Sequence, residues 1–176
     1  DPFLVAEAAR AINDAPIVDA QASLAAMLPA MPMNVESGLG LRILNAHFRL
    51  GQPENAAALA AFASRTDAPD ALRIEALTHL AAWGHPPARD RIVGIYRPLP
   101  SRDAAPAAMA LSPFAPRLVA DAETDVQLAV IHAVQALDLR SAGDALVALV
   151  LREDAHVSAR AAALKPLVEW HHARLA

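Results

Sequence analysis

At 176 residues the chain is long enough for one domain with a sizeable core, and 55% hydrophobic against 19% charged residues argues against disorder. The net charge of −4 provides no basic face to neutralise phosphates, so nucleic acid is not expected as a partner. The absence of cysteine rules out disulfides, thiolate metal sites and covalently attached c-type haem within these residues. No apolar run reaches the roughly 20 residues needed to cross a bilayer, because Glu7, Arg42, Glu75 and Gln127 interrupt the most hydrophobic stretches, so no membrane insertion is expected. A quarter of the chain is alanine and only 4% is aromatic, a usage that favours helix and disfavours strand. The expected class is all-α.

In chain order, Asp1-Pro2 supplies a cap and a first-turn proline for an opening helix, and a second apolar run from Gln21 to Leu28 completes a first hairpin. Leu39 to Leu50 forms the next helix, closed by Gly51, with Pro53-Glu54 opening its partner through Phe62. A third pair begins at Asp70, runs to Trp83 and stops at Gly84, and Pro86-Pro87 lead into a weaker helix near Asp90 to Tyr96. Three prolines between Arg97 and Ala107 mark an irregular connection, followed by a degenerate repeat around Ala108 to Ala120. Regularity returns with helices over Val126–Leu137, from Ser141 or Asp144 to Leu151, and from about Asp154 to Trp170, which Pro166 should kink unless the helix ends early.

Across these elements the pair Ala-x-x-x-(Leu/Ile) recurs at Ala8/Ile12, Ala46/Leu50, Ala76/Leu80, Ala107/Leu111, Ala133/Leu137 and Ala163/Leu167, in steps of about thirty residues. In each copy the two residues lie one turn apart, so a small side chain admits a neighbouring helix and a branched one fills the space beyond. The period predicts about ten to twelve helices in antiparallel pairs stacked as a right-handed α-solenoid, five to six repeats forming a single domain over residues 1–176 and irregular near 85–120. Asp1 stands first with no basic-then-apolar leader after it, which fits a piece of a longer chain.

The blocks RILNAHFRLGQPENAAALAAFA (Arg42 to Ala63), LRIEALTHLAAW (Leu72 to Trp83) and DRIVGIYRPLPSR (Asp90 to Arg102) resemble the HEAT-like repeat segment of large secreted bacterial proteins. Those proteins join a pyrroloquinoline-quinone-type sugar (glucose/sorbosone) dehydrogenase propeller to a c-type cytochrome domain. The resemblance implies a periplasmic or secreted scaffold between redox modules. Its partners would be other domains of the same chain or an electron-transfer protein, and the family's catalytic and haem-binding residues would lie outside this segment.

The residues themselves offer little chemistry. His47, His79 and His132 fall at non-equivalent offsets inside helices, and no His-x-x-x-His or His-Glu-x-x-His spacing occurs, so neither a metal nor another cofactor is expected. Trp170-His171-His172 reads as the solvated end of the last helix. Gly38 and Gly40 lack the strand and third glycine of a dinucleotide loop and read as a helix start, and no serine sits in a nucleophile elbow.

The segment His85 to Arg102 stands out because arginines and aromatics are the types enriched at binding hot spots, and Trp83, Arg91, Tyr96, Arg97 and Arg102 form the candidate interaction patch. The competing reading is that these arginines pair internally with Asp67, Asp70, Glu75 and Asp103. The function expected is therefore a non-catalytic interaction or spacer domain. A HEAT-like-repeat DNA glycosylase, which grips a duplex in a basic groove, and a stand-alone peptide-binding adaptor are the alternatives.

Overall fold

The computed structural model describes residues 1–31 and 37–173. Among them are ten α-helices and no β-strand: α1 (Pro2–Asp14), α2 (Gln21–Ala25), α3 (Ser37–Leu50), α4 (Pro53–Ala63), α5 (Asp70–Ala81), α6 (Ala105–Leu111), α7 (Ala115–Asp121), α8 (Thr124–Ala136), α9 (Gly143–Leu151) and α10 (Val157–Glu169). Short 3-10 turns at Val18–Ala20, Leu28–Ala30 and Arg140–Ala142 join some of them.

Capping chemistry explains several of the boundaries. The Asp1 carboxylate accepts from Phe3 N at 2.9 Å and opens α1, with Pro2 at the first helical position where no amide is needed. Gln52 and Asn55 cap α4 reciprocally. Gly51 closes α3 at φ +69°, a left-handed conformation that only glycine adopts without strain. Pro166 lies inside α10 rather than ending it.

Packing runs in sequence order. In one series α1 contacts α3, α3 contacts α5, α5 contacts α8 and α8 contacts α10. On the other side α4 lies against α3, α5 and α6, while α7 lies against α8 and α9, and α9 against α10. Ala46, Ala76, Ala107, Ala133 and Ala163 are all fully buried, and Leu80, Leu111 and Leu167 with them, in one continuous apolar core. Small residues at these points let neighbouring helices approach. Gly38 and Gly40 lie in the first turn of α3, and Gly40 also marks a close helix approach: a Cβ there would lie 2.6 Å from Leu72 Cδ1, so it serves the α3–α5 contact.

Two sequence expectations fail. In α1 it is Ala9 and Asn13 that are buried, while Ala8 is exposed and Ile12 half-buried. The buried face is turned by one residue because α1 packs chiefly against α3, and Asn13 meets Asn45 of α3 and Arg97 of the segment that follows α5. The expected helix near Asp90 to Tyr96 is instead a small hairpin. Asp90 Oδ1 accepts from the amides of Ile92 and Val93 at 2.9 and 3.1 Å, and Gly94 at φ +70° turns the chain back so that Arg89 and Tyr96 form an antiparallel bridge. An aspartate that bonds its own downstream amides competes directly with helix.

Candidate interaction site

Between α5 and α6, residues 84–104 form an irregular strap, and polar contacts fix it to α1, α3 and α5. Its centre is Asp90, whose side chain is buried. Besides its own turn, the Asp90 carboxylate accepts from Asn45 Nδ2 at 3.0 Å and lies 2.8 Å from Arg97 Nη2 and 3.4 Å from Arg49 Nη1. Burial pushes this carboxyl up, but the hydrogen bonds from Asn45, Val93 and Ile92 together with the Arg97 charge outweigh it, and the net shift is below the ordinary value. Asn45 also donates to Asn13 Oδ1 at 2.8 Å, and Arg97 Nη1 donates to Asn13 O at 2.6 Å, so the hub reaches α1.

A second anchor is stacked. Phe48 of α3 lies against the His79 ring at 4.6 Å and edge-on to Trp83 at 6.1 Å. The Arg102 guanidinium covers Trp83 at 4.0 Å and Phe48 at 4.8 Å, and its Nε donates to Trp83 O at 2.9 Å. Burial lowers Arg102 to about 10, which still leaves it cationic at neutral pH. A Cβ at Gly51 would collide with Arg102 Nη1, so the glycine that caps α3 also makes room for this side chain.

The third anchor is Arg91, which grips Glu75 with two hydrogen bonds of 2.8 and 2.9 Å. Glu75 Oε1 lies 3.5 Å from His79 Nε2, too long for a good hydrogen bond. His79 has no solvent exposure, and burial lowers its pKa to about 4, against a smaller opposing pull from Glu75. It is a neutral core histidine. His47 is neutral by a different logic. Its Nε2 donates to Ala25 O at 2.9 Å, which leaves Nδ1 to accept from Asn55 at 3.0 Å, and burial lowers its pKa despite the Ala25 bond.

The five patch residues therefore separate. Trp83 is 0% exposed and is not part of any surface. The Arg97 side chain is 10% exposed and committed to Asp90 and Asn13, and Arg102 is laid over Trp83. Arg91 is half-exposed but paired, and Tyr96 alone is open, at 71%.

Of the acids proposed as internal partners only Glu75 takes one of these arginines. Asp67 pairs with Arg65, Asp70 pairs with Arg73, and Asp103 accepts from Ala105 N. Sequence reasoning missed Asn13, Asn45, Arg49 and the central role of Asp90. What faces solvent is the hairpin tip: Arg89, whose Nη1 donates to Gly94 O, the outer side of Arg91, Ile95 and Tyr96.

Elsewhere, a cleft of about 450 Å³ beside the start of α5 and α8 is lined by two arginines, Arg73 and Arg117, and two carboxylates, Asp70 and Glu123. Among the described residues no three His, Asp or Glu side chains converge as a metal site would require, and no helix is long and apolar enough to cross a membrane. Comparison with known protein families, curated proteins and solved structures finds no match to this chain.

Proposed function

We propose that the chain is a non-catalytic right-handed α-solenoid of HEAT-like helical hairpins that serves as an interaction scaffold and docks a partner on the tip of its strap. The sequential contacts α1–α3–α5–α8–α10 and the buried alanine at five of the six repeat positions support the solenoid. The docking reading rests on one observation: Arg89, Arg91, Ile95 and Tyr96 are held outward on a hairpin whose base is tied down through Asp90 and Arg97. A pre-ordered aromatic and cationic set loses little entropy on binding, which is what a hot spot requires.

Charge sharpens the kind of partner. In this region five arginines, Arg49, Arg89, Arg91, Arg97 and Arg102, outnumber three acids, Glu75, Asp90 and Asp103, a cationic spot on a chain of net charge −4. An acidic protein surface fits the spot, whereas a DNA duplex would meet the repulsion of the whole. The resemblance stated above suggests which surface: a dehydrogenase or cytochrome module encoded with this chain and secreted with it.

The experiment is a titration of the chain against such modules, produced separately. Wild type binds one of them, and the double variant Arg89→Ser with Tyr96→Ser binds at least about tenfold more weakly, the effect of one lost hot spot. Equal affinity of the two proteins, or no binding to either module, contradicts the proposal.

A further inference from the structure

Beside the Asp90 hub a pocket of about 220 Å³ opens where three parts of the chain meet. Pro16, Val18 and Gln21 come from the turn after α1 and the start of α2, Arg49 and Leu50 from the end of α3, and Leu99 from the strap. Four of these six are apolar, and Gln21 spends its Nε2 on Ile12 O at 3.0 Å. Arg49 is the single charged group in the lining, and no acid among the described residues faces it there.

The hub does not exhaust the chemistry of Arg49. Asp90 lies 2.8 Å from Arg97 but 3.4 Å from Arg49, and that long contact is the one hydrogen bond Arg49 makes among the described residues, although a guanidinium carries five donors. The side chain is only 16% exposed, so little water stands in for the missing acceptors. Burial and the neighbouring Arg97 charge lower the Arg49 pKa more than Asp90 raises it. A cation so placed is under-compensated and attracts an anion.

We infer that this pocket binds a small aliphatic carboxylate, its carboxylate taken by Arg49 and its tail lying against Pro16, Val18, Leu50 and Leu99. A purely polar anion would leave these walls without a partner, and a neutral hydrocarbon would leave Arg49 without one. Size limits the ligand as well: at about 30 Å³ for a water-sized group, 220 Å³ holds about seven, the five carbons and two oxygens of isovalerate. The inference goes beyond the scaffold reading and does not depend on the hairpin tip.

Amide chemical shifts of the isotope-labelled chain, followed at neutral pH and constant ionic strength, test this with isovalerate as the probe. Isovalerate should give saturable shifts centred on Val18, Gln21, Leu50 and Leu99 with a Kd below about 10 mM. Acetate, which lacks the tail, and isoamyl alcohol, which lacks the charge, should each bind at least about tenfold more weakly. Arg49→Gln removes the cation and leaves Arg97 on Asp90. Val18→Asp sets a carboxylate on a wall that is 77% exposed, where the fold tolerates it, and so keeps the test decisive if Arg49→Gln disturbs folding. Each variant, with its unfolding midpoint checked, should lose at least about tenfold in affinity. N-acetyl-leucine then assigns the source of the carboxylate: tighter binding than isovalerate indicates the C-terminal residue of a polypeptide, weaker binding a free acid. No saturable shift below about 10 mM, shifts centred away from the pocket, equal affinity for the alcohol, or undiminished affinity in Val18→Asp overturns the inference.

Discussion

The helical stack and the strap across it are held by different forces, and the difference decides what each can tolerate. From α3 to α5 and from α8 to α10 the contacts are mainly apolar, fully buried alanines beside Leu80, Val130, Leu146 and Leu167, with buried polar side chains such as His47 and Gln127 among them. Such contacts are non-directional and are shared among many neighbours. The strap at 84–104 buries little aliphatic surface and is instead fastened at three points, Asp90, Trp83 with Arg102, and Arg91 with Glu75. Each fastening is directional and has few substitutes. A scaffold that must present a fixed tip gains rigidity from such pairs, because the Asp90 carboxylate joins α3 to the strap and its partners Asn45 and Arg97 reach Asn13 of α1.

The largest expected effect lies in the stack. Leu80→Ala should cost about 2 to 5 kcal/mol, the transfer term plus a cavity between α5 and its neighbours, read from the denaturant midpoint. A shift below about 1 kcal/mol would mean that the stack does not depend on its repeat positions.

In the strap, Asp90→Asn keeps the shape but strips the charge facing Arg97 and Arg49, both largely buried, and should cost about 2 to 4 kcal/mol. An unchanged midpoint would show the hub to be incidental.

His79 sits where the two regions meet and makes stability depend on pH. Its pKa falls from an ordinary 6.5 to about 4 in the fold, so between these values the unfolded chain binds the proton and the folded one does not. Stability is therefore lost as pH drops from about 6.5 to about 4, by up to about 3 kcal/mol. His79→Leu should remove that part of the slope, and parallel pH curves for the two proteins would contradict the assignment.

The smallest effect belongs to the open tip, where Tyr96→Ser should change stability by no more than about 0.5 kcal/mol because the ring is mostly in water.

The same division explains what was legible in the sequence. Apolar packing leaves a periodic trace, and Ala46, Ala76, Ala107, Ala133 and Ala163 were readable from it as core positions. Ala8 fits the period but is exposed, since a periodic trace carries no mark of where neighbours end. The strap leaves no period at all. Asp90 meets Asn45 across 45 positions and Arg97 meets Asn13 across 84, pairings that spacing cannot announce. The cluster of arginines and aromatics was visible as composition. Which of them face water was not, because Trp83 and Tyr96 differ in surroundings rather than in type. One local signal was available: Asp90 four residues before Gly94, after Pro86-Pro87, favours a turn over the helix expected there.

The most direct measurement is amide hydrogen exchange on wild type and Asp90→Asn, followed residue by residue. In wild type the amides of Asp90, Gly94 and Arg97, bonded within the hairpin, should be protected like those of α5. In the variant the protection of these three should fall by a larger factor than that of α8 to α10, whose loss stays within the fall in global stability read from the denaturant midpoint. A uniform loss across the chain, or strap amides that exchange freely in wild type, would contradict a strap held independently through Asp90.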